Sequence, residues 1–123
     1  MSRDTSSFVV LDEEVLRQVR DEAAGIGLPN LIETFTSEIV SRHQRIAAAL
    51  GRNDLERAEY EAHTLSGTSG TFGAMRLQAI ALQLEHHCHA GDLNGAHGLT
   101  GQLTDAMEEA CAAFRAFADT NPH

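Results

Sequence analysis

From Leu11 to Phe117 the apolar side chains return every three or four residues, and no stretch alternates residue by residue. That period marks helices with one buried face and leaves no strand pattern to compete with them. Glycines cut the pattern into lengths. Gly25 and Gly27 close a short first segment, Gly51 a second, Gly73 a third and Gly91 a fourth. The first helix carries Leu11, Val15, Leu16 and Val19, with Asp12, Glu13 and Glu14 in its first turn, where carboxylates suit the helix dipole.

The second helix tolerates Pro29 in its opening turn. It buries Leu28, Ile32, Phe35, Ile39, Ile46 and Leu50, and the stripe breaks at Arg42 and His43. Asn53 with Glu56 three residues on reads as a reciprocal cap for the third helix. Its inward stripe is Leu55, Ala58, Ala62, Leu65, Ser69 and Phe72. A fourth helix from about Ala74 to Ala90 turns Leu77, Ile80, Ala81, Leu84 and Cys88 inward. The last carries Leu93, Ala96, Leu99, Leu103, Ala106, Ala110, Phe114 and Phe117. Its early glycines, Gly95, Gly98 and Gly101, imply a close helix crossing or a frayed first turn. Short connections make neighbours antiparallel. The expectation is an all-α, up-down antiparallel four-helix bundle with a short extra N-terminal helix, over residues 11–119, after a loose arm at 1–10.

Charge narrows the function. Eighteen acidic residues face nine basic ones, every one of them Arg, for a net charge of −9. Nucleic acid and anionic membrane surfaces need clustered positive charge, so both are excluded as partners. No apolar run is long enough to span a bilayer, and no charged start followed by an apolar stretch announces secretion. Cys88 and Cys111 stand far apart and in no CxxC pair, which implies reduced thiols in a cytoplasmic protein.

The third helix shows solvent an unusual face: Glu59, Tyr60, His63, Ser66, Gly67 and Gly70. A side chain one turn further on would lean back over the imidazole of His63, and Gly67 removes that cover. Two interior glycines cost a helix about 2 kcal/mol if their effects add, so a steric reason for them is expected. The third and fourth helices turn near Ala74, and His63 lies eleven residues before it and Glu85 eleven after. A carboxylate level with the ring would accept the Nδ1 proton and leave Nε2 with a free, more nucleophilic lone pair.

The run Ala62-His63-Thr64-Leu65-Ser66-Gly67-Thr68-Ser69-Gly70-Thr71-Phe72-Gly73-Ala74, followed by Glu85, resembles the signature of histidine-containing phosphotransfer (HPt) domains. That signature reads A-H-x-L-K-G-x-x-x-x-x-G-A with Gln or Glu beyond it, and the match is ungapped except that Ser66 replaces the lysine. The Gly-Thr-Phe-Gly segment and Glu85 lean toward the phosphotransfer domains of chemotaxis histidine kinases. The resemblance implies that His63 is the phosphoacceptor, Glu85 orients the imidazole and Gly67 gives the phosphate access, with Gly70 and Ser66 beside it. It implies as partners a histidine kinase and a response-regulator receiver domain, met by a monomer. The chain would hold no cofactor of its own, the Mg²⁺ being on the receiver. No glycine-rich phosphate loop is present, so the chain is a relay intermediate rather than an enzyme that uses ATP. Docking is expected around Tyr60 and His63 and at Ile26 and Leu28. Two other readings stand beside this one: a non-catalytic adaptor with a vestigial histidine, favoured by the missing lysine, and a metal-binding bundle using His86, His87, Cys88 and His89. Against the second, His86 and His89 share a face that Cys88 does not, short of the four ligands zinc takes.

Overall fold

The computed structural model describes residues 5–23 and 25–120. Among the described residues a 3-10 turn at Thr5–Ser7 precedes six α-helices: α1 (Glu13–Glu22), α2 (Leu28–Gly51), α3 (Leu55–Thr71), α4 (Met75–His89), α5 (Leu93–Gly98) and α6 (Thr100–Thr120). There is no strand among the described residues. Helices α2, α3, α4 and α6 form the bundle, and α1 is the extra N-terminal helix. Phe35 stacks on Phe72 with ring centroids 3.9 Å apart and meets the edge of Phe114 at 4.5 Å, tying α2, the end of α3 and α6 together. Aromatic pairs of this kind add about 0.5–1.5 kcal/mol beyond the area they bury.

Several boundaries differ from the sequence expectation for local reasons. Asp12 is the N-cap of α1 rather than part of its first turn, its Oδ1 accepting from the amides of Glu14 and Val15. Leu16 alone in that helix is fully buried. The cap of α3 is Asp54, which accepts from the Arg57 amide at 3.0 Å, while Asn53 takes a left-handed φ of 57° to turn the chain. The last helix is two: α5 tightens at Leu99, whose amide bonds back three residues to Ala96, and α6 starts afresh. Gly95 marks a close approach of α5 to α4, whereas Gly98 and Gly101 stand in open space and mark no crossing. A Cβ at Gly95 would strike the Asp92 carboxylate and His87 Nδ1, the pair that caps α5.

The loose arm is outside the described residues up to position 4, and from Thr5 it is pinned. Val9 accepts from the Arg76 amide at 3.0 Å, and Phe8 from the Arg76 side chain at 3.1 Å. The Asp12 amide donates to Gly73 O at 2.7 Å, so the start of the chain clamps the α3–α4 turn. Gly73 has φ +83°, and a Cβ there would lie 2.7 Å from Asp12 O, so this turn requires glycine.

Candidate functional site

The α3–α4 turn fixes the register of the two helices, and the register makes the site. His63 and Glu85 come level, with Nδ1 and Oε2 3.0 Å apart. An ionised carboxylate can only accept, so Nδ1 carries the proton and Nε2 keeps its lone pair. The ring stands 73% exposed while Glu85 is largely covered, an imidazole held from below and open above. A Cβ on Gly67 would meet nothing within 4 Å, so the approach to the ring is clear.

Two expected members of this face are elsewhere. Ser66 is 5% exposed, and its hydroxyl donates to the His63 carbonyl at 2.7 Å. The helix turns that position inward, and a short hydroxyl can fold back on its own backbone, which the polar–apolar pattern does not reveal. Gly70 is not open to a visitor either: a Cβ there would run into the Gln78 side chain of α4. Its small size serves the approach of the two helices.

Of the residues expected to dock a partner, Tyr60 is exposed with the Arg57 guanidinium 5.3 Å from its ring centroid. Leu28 is 1% exposed and belongs to the core, while Ile26 is exposed. The Phe35–Phe72 stack sets residue 44 of α2 level with His63, which places the start of α2 about 25 Å away along the bundle, at 1.5 Å per residue.

The histidine cluster is divided among carboxylates. His87 Nδ1 meets Asp92 at 2.9 Å and His89 Nδ1 meets Glu59 at 3.1 Å, while Cys88 is buried. Burial first, and the nearby Glu59 second, push the Cys88 thiol up to about 11. No group of three or more His, Cys, Asp or Glu converges as metal ligands among the described residues.

The sequence pattern missed an ion network around a buried glutamate. Glu61, on α3, is fully buried; its Oε2 accepts from Arg42 Nη1 at 3.0 Å and its Oε1 lies 3.3 Å from Arg57 Nη2 without hydrogen-bond geometry. Arg42 also donates to Glu38 at 2.8 Å. The signal was the break in the α2 stripe at Arg42, a long polar side chain on the core-facing side.

A four-helix bundle that presents a carboxylate-oriented imidazole to solvent in mid-helix, beside a glycine one turn on, is a histidine-presenting module. The chain belongs to the Hpt domain family, whose model matches residues 30–117. The fold is similar to that of histidine-containing phosphotransfer protein B from Pseudomonas aeruginosa PAO1, at 26% identity over 87% of this chain and 92% of that one, with a TM-score of 0.82. It is also similar to a histidine-containing phosphotransfer protein from rice (15% identity, 92% and 84% covered, TM-score 0.77). A third is ZmHP2 from maize (16% identity, 92% and 86% covered, TM-score 0.70). No curated protein sequence matches at a significant level.

Proposed function

We propose that this Hpt domain, a histidine phosphotransfer protein of a phosphorelay, carries its phosphoryl group on Nε2 of His63. The observation that carries the assignment is the 3.0 Å Nδ1–Glu85 contact beneath an exposed ring. In transfer from a receiver, the Nε2 lone pair attacks phosphorus as the bond to the aspartyl oxygen breaks, and that electron pair leaves with the aspartate. The Nδ1 proton stays on the ring, hydrogen-bonded to Glu85, which offsets the positive charge that develops there. Gly67 leaves room for the phosphoryl oxygens and for the partner's loops. Mg²⁺ acts from the receiver, and ATP is consumed by a separate kinase, so this chain supplies a nucleophile rather than catalysis.

The partners are a histidine kinase and a receiver domain, and the protein meets them as a cytoplasmic monomer with both thiols reduced. The burial of Cys88 and Cys111 supports the last point. No described helix is long and apolar enough to cross a membrane. A chemotaxis role is decided by which receiver takes the label.

The test is phosphorylation by the partner kinase with ATP, or by phosphoramidate as a small donor. The label should be acid-labile, alkali-stable and confined to His63. His63→Gln should keep the helical content and lose the label. Full labelling of that variant would overturn the assignment, and an unlabelled wild-type chain would favour the adaptor reading.

A further inference from the structure

Glu59 and His63 stand four residues apart on α3, and Glu85 and His89 repeat that spacing on α4. The antiparallel pairing crosses the two sets. His63 Nδ1 meets Glu85 at 3.0 Å, and His89 Nδ1 meets Glu59 at 3.1 Å. Side chains lean toward the N-terminus of their own helix, so in an antiparallel pair the two rings lean toward one another. Both line one open groove, with Glu56, Glu59, Tyr60 and Glu85 completing its wall. His89 is the more exposed ring, at 81%. With Nδ1 of each held by a carboxylate, Nε2 of each is left for the groove.

That groove has a charge problem once His63 is loaded. Three carboxylates already line it, and a phosphoryl group adds about −1.5 to −2. The arginines nearby do not line the groove. Arg57 lies over Tyr60 and beside Glu61, and Arg42 is bound to Glu38 and Glu61. Position 66 offers a serine hydroxyl turned back to the His63 carbonyl. Among the described residues that line the groove, His89 is the one side chain besides His63 that can become positive.

We propose that His89 is the cationic partner of the phosphoryl group on His63, donating Nε2–H to a phosphoryl oxygen and Nδ1–H to Glu59. The inference rests on His63 being the acceptor. The extra proton comes from solvent as His63 is loaded, so loading and proton uptake are coupled, and retention of the phosphoryl group weakens as pH rises. The titratable groups facing His89 are Glu56, Glu59, Tyr60 and His63 from α3 and Glu85 from its own helix. Nearby Asp92 is turned to His87, and His97 of α5 to Asn53.

The deciding measurement is the pH titration of the His89 ring by NMR, before and after loading with phosphoramidate. On loading, Nε2 of His89 should become protonated at a pH where the unloaded protein shows a lone pair there. The same treatment of His63→Gln should leave His89 unmoved. In partition against a receiver that accepts the label, His89→Asn should shift the phosphoryl group toward the receiver by about two- to fivefold near neutrality, the worth of an exposed charge contact. It should also flatten the pH dependence, and His89→Arg should restore retention at every pH. A loaded His63 with an unchanged His89 titration overturns the proposal alone. A His63 that cannot be loaded overturns the relay reading and the proposal with it.

Discussion

At His63 the decisive atom is the one that is not reactive. Nδ1 is bound to Glu85, and that bond selects the tautomer and the direction of the ring. A hydrogen bond of this kind nets about 1 kcal/mol, so Glu85→Ala should slow phosphorylation about five- to tenfold and change the melting temperature little. Glu85→Gln keeps an amide oxygen to accept the proton and should lose less, and the initial rate of labelling separates the variants. An unchanged rate in Glu85→Ala would mean that the contact does not orient the ring. Both residues were legible in the sequence because a helical period and a turn position suffice to bring them level. Ser66 and Glu61 were not. Serine at a helix flank can face either way, and a fully buried glutamate depends on arginines contributed by another helix and by the turn before it.

The helices themselves show why two glycines of one motif have unrelated reasons to exist. Gly67 sits mid-helix in open space, where alanine should gain α3 about 1 kcal/mol. Gly67→Ala should therefore melt no lower than the wild type and still transfer poorly, because its methyl, which touches nothing in the free chain, would meet the incoming partner one turn from His63. Gly73→Ala should do the reverse. Its positive φ and its approach to Asp12 O forecast a loss of about 2–3 kcal/mol, with the Asp12–Gly73 hydrogen bond weakened. Denaturant titration alongside labelling would distinguish them, and equal effects of both on both readouts would refute the division. The fold was readable to this depth because apolar spacing and glycine punctuation are local. The split at Leu99 and the move of the cap from Asn53 to Asp54 were not, since they depend on backbone angles that several neighbouring residues could adopt. The Arg42–Glu61 bridge joins α2 to α3 in the same hidden way. Arg42→Met should cost about 3 kcal/mol by stranding a buried carboxylate, and adding Glu61→Leu should recover most of it, a pattern a double-mutant cycle measures.

Across the whole bundle, stability should follow pH through a group that does not line the phosphoryl site. His43 on α2 reaches Thr104 on α6, with Nε2 and Oγ1 2.8 Å apart. The Thr104 hydroxyl gives its own proton to the Thr100 carbonyl, so it accepts from Nε2–H, and a neutral ring satisfies the contact. Burial holds the imidazole below its ordinary 6.5, and the charge of Glu108 offsets this in part. The sign follows from proton counting. Between the lowered folded value and 6.5 the unfolded chain binds more protons at this site than the folded one, so stability rises with pH there. His43 thus contributes fully above about pH 6.5 and loses its contribution as pH falls through the folded value. Asp92 acts in the same direction at lower pH. The Gly95 amide, and then His87, hold its carboxyl below the ordinary 3.8, so the contribution of this cap is lost as pH falls through that lowered value. Unfolding free energies from urea titrations at pH 7.5 and 5.5 should therefore fall less in His43→Gln than in the wild type. The other histidines are common to both proteins and cancel in the comparison. An equal fall in the two would show that the α2–α6 contact does not discriminate between the charged and neutral ring.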